Sequence, residues 1–191
     1  MKNSFYEDGG ELFNLGFKHV GKNVKISRKI SLYNIENVTI GNNVRIDDFV
    51  IISGGGEPFN IGNNVHIAAY SSLIGKGRID ILDFANISSR VSIYSSSDDY
   101  SGTFMTNPTV DEEFLNIDNS PVIIGKHCII GAGCIVLPGV NTGNSTAFGA
   151  FSLLKGYYDS LKIYEGIPAK YINNRGENHQ YLEKKYLEKH G

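Results

Sequence analysis

Tryptophan is absent from the chain, proline and cysteine are scarce at five and two of 191 residues, and no hydrophobic run approaches the roughly 20 residues of a membrane span. Cys128 and Cys134 stand six residues apart. That spacing makes neither a CxxC pair nor a disulfide framework, so a reducing, cytoplasmic setting is expected. A charge excess is missing as well. Eighteen basic and 20 acidic residues, net −2, are mixed along the chain. They offer no basic stripe to nucleic acid or anionic lipid, although a few local cations suffice for a phosphate-bearing small molecule. The amino terminus, MKNSFYEDGGELF, is acidic where a secretion signal needs an apolar run, so neither secretion nor membrane insertion is expected. What is plentiful is glycine, 22 residues, among many Ile and Val. This composition suits one domain of short strands joined by tight turns rather than a disordered chain.

A six-residue pattern organises these residues. Val20-Gly-Lys-Asn-Val-Lys leads into Ile26-Ser-Arg-Lys-Ile-Ser, and Ile40-Gly-Asn-Asn-Val-Arg into Ile46-Asp-Asp-Phe-Val-Ile. The same phase returns at Ile61, Ile67, Ile81 and Ile87, and again at Ile124, Ile130, Val136, Thr142 and Phe148. A period of six fits neither a 3.6-residue helix nor the loose alternation of a β-sandwich. It fits a coil with three flat sides, each made of one short strand and one turn, stacked in parallel so that apolar first positions form inward columns. Three hexads make a coil of 18 residues, the spacing of Ile124 and Thr142. The early coils, beginning at Val20, Ile40, Ile61 and Ile81, are longer by two or three residues, which must sit at a corner.

Two segments leave the pattern. Residues 98–121, DDYSGTFMTNPTVDEEFLNIDNSP, form a long excursion from one coil, and loops of that length in compact repeat domains tend to be functional. Residues 174–191 predict a short helix with Tyr181, Leu182, Tyr186 and Leu187 as an apolar stripe, suited to capping or to packing on a neighbouring subunit. Residues 1–19, with Glu11-Leu-Phe-Asn-Leu-Gly-Phe, form the opposite cap, and residues 20–173 form the coil domain.

The hexads, the excursion and the closing Gly166-Ile-Pro-Ala-Lys together resemble the hexapeptide-repeat acyltransferases, nearest the galactoside and maltose O-acetyltransferase type and the cell-surface-sugar acetyltransferases. The resemblance covers nearly the whole chain. It implies a left-handed parallel β-helix, a homotrimer with active sites between subunits, acetyl-coenzyme A as donor and no metal. It also implies transfer of the acetyl group to an amino or hydroxyl group of a sugar or nucleotide-linked deoxyamino sugar, with cell-surface polysaccharide synthesis as the setting. Small residues at late turns, Gly131, Ala132, Gly133, Gly149 and Ala150, would let a pantetheine arm approach the backbone. Lys155, Lys170 and Arg175 would meet coenzyme A phosphates, and Pro168 and Ala169 match the residues that abut the adenine end in the family.

Acetyl transfer needs a base for the acceptor's proton. In galactoside-type relatives this is a histidine that opens the excursion, but Asp98 holds that position here. Of the five histidines, His19, His179 and His190 read as solvated and His127 as a water-facing turn residue. His66 is the candidate partner for Asp98, an imidazole fixed in one tautomer by the carboxylate. Arg90 is a possible ion-pair partner of Asp98. Tyr70, Arg90, Tyr94, Asp99, Tyr100, Asn107 and Thr109 are candidates for sugar contacts. Replacement of histidine by aspartate tilts the acceptor toward an amine, already a nucleophile when neutral. The rival on this scaffold is a zinc-dependent carbonic anhydrase, which needs three converging histidines; His66 and His127 supply two, and the sequence offers no third.

Overall fold

The computed structural model describes residues 4–7 and 9–190. The chain winds through three parallel sheets in fixed rotation, and each turn visits face I, then face II, then face III. Face I holds seven strands, from His19–Val20 through Phe59–Ile61 and Ile79–Ile81 to Tyr157–Tyr158. Face II includes Lys25–Ser27, Arg45–Ile46, His66–Ile67, Asn86–Ile87, Ile129–Ile130 and Ala147–Phe148. Face III holds six strands, among them Ile51–Ser53, Ser72–Ile74, Ser92–Tyr94 and Ile135–Val136. This is the parallel β-helix that the hexads predict.

Register follows the hexad phase residue by residue. On face II, Ile26, Ile46, Ile67, Ile87, Ile130 and Phe148 pair successively as strand partners, and all are buried. Each such side chain taken from water contributes roughly 1.5–3 kcal/mol, and it does so only against its neighbours above and below. Cys128 and Cys134 belong to this interior. They occupy the fifth hexad positions held elsewhere by Val24, Val44, Val65, Val50 and Val91, and burial pushes both thiols above their ordinary pKa. They act as small core residues rather than nucleophiles.

The Gly-Asn-Asn hexads have a local reason at the corner between faces I and II. The fourth residues of these hexads and of the first one, Asn43, Asn64 and Asn23, take the left-handed backbone conformation that asparagine tolerates. The side-chain oxygens of Asn42, Asn63 and Asp83 accept the backbone N–H of Lys22, Asn42 and Asn63 one coil earlier. Two antiparallel strands close the otherwise open ends of face II: Phe5–Tyr6 against Lys25–Ser27, and Lys170–Asn174 against Lys162–Glu165. Unpaired strand edges invite association, and these strands cover them. Helix α1, Gly9–Phe13, buries Leu12 at the first end.

Helix α2, Asn178–His190, is the expected tail helix, and none of its residues is buried within the chain, so its apolar stripe does not cap the coil. Polar and aromatic contacts seat it instead. Glu183 accepts hydrogen bonds from Lys126 (2.5 Å) and His127 (2.8 Å), His179 Nε2 lies 2.7 Å from Ser145 Oγ, and Tyr186 donates to Asn64. His127, expected in water, is stacked on Phe84 at 4.8 Å between ring centres. His179, also expected in water, is half-buried beside it.

This seat titrates. Burial, then the positive Arg175, holds His179 below its ordinary value of 6.5. The folded state therefore favours the neutral ring, and that stabilisation is complete above 6.5 and lost as pH falls through the lowered value. Burial pushes the Glu183 carboxyl up, but the hydrogen bonds from His127 and Lys126 outweigh it, leaving Glu183 below 4.5. Its contribution is lost only in stronger acid. As pH falls below 6.5, the protection of α2 amides relative to their intrinsic exchange rates is expected to fall, and His179→Gln should flatten that dependence. Constant protection of α2 across this range would show that His179 does not govern the seat.

Candidate active site

The extra residues of the early coils all lie at the corner between faces III and I. They fall within the connections 34–37, 54–58 and 75–78, between the face III strands ending at Tyr33, Ser53 and Ile74 and the face I strands beginning at Val38, Phe59 and Ile79. The excursion leaves from this same corner one coil later. Its base is a short antiparallel pair, Ser96–Ser97 with Asp118–Asn119, and Ser96 Oγ donates to Asn119 while accepting the Lys76 N–H. Lys76 Nζ also reaches Glu112 of the excursion at 3.3 Å. Between the stacked corners and the excursion lies a cavity of about 500 Å³, lined by residues that include Asn34, Ser53, Ile74, Ser97, Asp98 and Ile117. Individually these residues carry no signal in the sequence. Collectively they do, through the coil spacings of 20, 21 and 20.

Asp98 stands at the cavity rim, exposed, and its carboxylate makes no hydrogen bond or ion pair among the described residues. Its neighbour is different. The Asp99 carboxylate accepts the backbone N–H groups of Ser101, Thr103 and Phe104 at 3.0–3.1 Å, which hold its pKa below the usual carboxylate value. Asn107 Oδ1 accepts from the N–H and hydroxyl of Thr109, so both residues are engaged in shaping the loop. Tyr100 projects into solvent, and Tyr94 ends the face III strand beside the corner.

The anticipated His66–Asp98 pair does not form within the chain. His66 lies on face II, with Nε2 at 2.8 Å from Asp47 and Nδ1 at 3.2 Å from Asn86. Asp47 also accepts from Arg45. The outward columns of face II align residues of successive coils, and Asp47 lies much nearer to His66 than the corner beyond face III does. With both ring nitrogens occupied, neither is free to take an acceptor's proton in this arrangement. Arg90 also departs from expectation. It makes no ion pair with Asp98 and lies 5.2 Å over the Tyr70 ring, which in turn stacks on Phe49 at the edge between faces II and III.

The donor-side candidates divide too. Arg175 is half-buried, and its Nη1 donates to the carbonyls of His127 (2.7 Å) and Thr146. Lys155 and Lys170 are exposed, as is Pro168, and the Ala169 N–H donates to the Leu153 carbonyl. A side chain at Gly131 would meet the Phe148 carbonyl oxygen at 2.6 Å. Gly133 has φ +72° and lies under the Phe151 ring. Stacking of the coils therefore already demands these two glycines. They leave backbone exposed at the edge between faces II and III, along which Ala132, Gly149 and Ala150 follow.

Comparison with known proteins decides the family. The chain is 52% identical over 178 residues, 93% of each protein, to a dTDP-4-amino-4,6-dideoxy-D-glucose acyltransferase of Escherichia coli. This chain belongs to the hexapeptide-repeat acyltransferases. Another member, the putative lipopolysaccharide biosynthesis O-acetyl transferase WbbJ of E. coli K12, is 30% identical over 78% of this chain and 74% of its own. The crystal structure of a variant of AntD, an N-acyltransferase from Bacillus cereus, in complex with dTDP-4-amino-4,6-dideoxyglucose and coenzyme A superposes with a TM-score of 0.93. It is 44% identical and covers 99% of this chain and 100% of its own. No family model matches the sequence. Its relatives are acyltransferases, and the carbonic anhydrase reading has no support. Among the described residues of this acyltransferase, no three His, Cys, Asp or Glu side chains gather as a metal site. His66 and His127 are each tied to a separate carboxylate. No helix among those residues is long and apolar enough to cross a membrane.

Proposed function

We propose that the enzyme transfers an acyl group from acyl-coenzyme A, acetyl in the first instance, to the amine of a dTDP-linked 4-amino-4,6-dideoxyhexose. The observation that carries this reading is the unpartnered Asp98 carboxylate at the rim of the cavity, where galactoside-type relatives place a histidine. A sugar hydroxyl needs a strong base before it attacks, whereas a neutral amine attacks unaided and then needs only to shed a proton. The amine nitrogen bonds to the thioester carbon, the carbon–sulfur bond breaks, the thiolate leaves, and the Asp98 carboxylate takes the nitrogen's proton. The substrates named for the relatives agree with this. The E. coli relative is described as acting on this amino sugar, and AntD has been solved with it and with 3-hydroxybutyryl-coenzyme A.

AntD variants have also been solved with replacements at a serine and at an aspartate ten residues further along. Ser88 and Asp98 have that spacing here. They lie at opposite edges of face III, since the strand Ser92–Tyr94 crosses the face between them. Face III also carries exposed Tyr33, Ile51 and Ile135. A second copy packed on that face would bring the two edges together, which supports a homotrimer with intersubunit sites and a donor groove along Ala132, Gly149, Ala150, Pro168 and Lys170. Both substrates are cytoplasmic metabolites, and we place the enzyme there, supplying amino sugars for surface polysaccharide.

Purified enzyme with acetyl-coenzyme A is expected to release free thiol when dTDP-4-amino-4,6-dideoxyglucose is added and not with simple galactosides or maltose. Thiol release with the galactosides alone would overturn the reading.

A further inference from the structure

The cavity at the corner between faces III and I is lined by the polar Asn34, Ser53, Lys76, Ser96, Ser97 and Asp98 and by the apolar Ile74, Pro108 and Ile117. Ile74 points outward from face III, flanking the inward Leu73, and one coil earlier its register partner is Ser53. Ile74 remains only half-buried, because the excursion lays Pro108 and Ile117 near it without filling the space between. Apolar side chains and a free carboxylate that border one cavity of about 500 Å³ suit a small ligand that carries both a cationic or proton-donating group and a methyl group.

We propose that Ile74, Pro108 and Ile117 are the specificity-determining residues for a 6-deoxy acceptor, receiving the C5 methyl group of the hexose while Asp98 faces its amine. This deepens the function proposed above and rests on it. A hexose with a hydroxymethyl group at C5 would bring its hydroxyl against these apolar side chains, where nothing replaces the hydrogen bond it makes to water. Discrimination by an apolar pocket against an added hydroxyl is moderate, of the order of 10- to 100-fold in kcat/KM.

The test compares dTDP-4-amino-4,6-dideoxyglucose with dTDP-4-amino-4-deoxyglucose, each with acetyl-coenzyme A, on the full-length enzyme and on Ile117→Val and Ile117→Thr. Valine and threonine match in shape and differ by a hydroxyl, so any cost of shortening the side chain is common to both variants. The unaltered enzyme should prefer the 6-deoxy sugar within the range given. Ile117→Val should keep most of that preference, and Ile117→Thr should reduce it to within about threefold. Equal kcat/KM for the two sugars on the unaltered enzyme, or an identical preference in the valine and threonine variants, overturns the assignment while leaving the amino-sugar reading in place. Acylation of neither amino sugar overturns both.

Discussion

Asp98→Asn is expected to lower kcat by about 10²-fold or more, the usual cost of losing acid–base assistance. The substitution is close to isosteric, and the carboxylate it removes makes no hydrogen bond or ion pair among the described residues. The loop is held instead by Asp99, by the Ser96–Ser97 and Asp118–Asn119 pair, and by Lys76 with Glu112. Thermal unfolding should therefore be unchanged. The loss should appear in kcat more than in the KM for acyl-coenzyme A, whose groove is assigned to another edge of the prism. Steady-state thiol release, with a melting curve beside it, checks both halves. Turnover equal to the unaltered enzyme would remove Asp98 from the chemistry and return the proton to water or to the substrate.

The second large effect concerns the scaffold. Ile87 is fully buried in the middle of the face II column, between Ile67 and Ile130 in strict register. Ile87→Ala is expected to cost about 2–5 kcal/mol, because the coils above and below are fixed by their own backbone ladders and cannot collapse into the space. Ile87→Val should cost only about 0.5–1.5 kcal/mol. Denaturant titrations at one fixed protein concentration check this, since any subunit association stabilises by mass action. A loss for the alanine variant below that of valine would mean that the column relaxes freely and that stacking does not hold the coils together.

Much of the fold could be read from the hexads because in a parallel coil the inward position recurs with the chain itself. Ile26, Ile46, Ile67 and Ile87 announce their column without knowledge of any distant contact. The tail was legible only in part: its helix could be read, its seat could not. An apolar stripe of Tyr181, Leu182, Tyr186 and Leu187 suggested a buried face, but the helix is seated by Glu183 and His179, whose partners Lys126, His127 and Ser145 lie far back in the chain. The bonds from Arg175 to the carbonyls of His127 and Thr146 were hidden on similar grounds, since charge and position are visible in sequence and distant carbonyls are not.

The hexad phase and its interruptions sufficed for the architecture, the length of the excursion and the presence of Asp98 at its start. Folding was needed to show that the surplus residues of the early coils share one corner with the excursion, and so border a cavity lined by both polar and apolar side chains. It also decided that His66 answers to Asp47 and Asn86 rather than to Asp98. The reason is geometric. A coil of about 20 residues returns a side chain to within hydrogen-bonding distance of the coil beside it, whereas the corners of one coil are held apart by the width of a face.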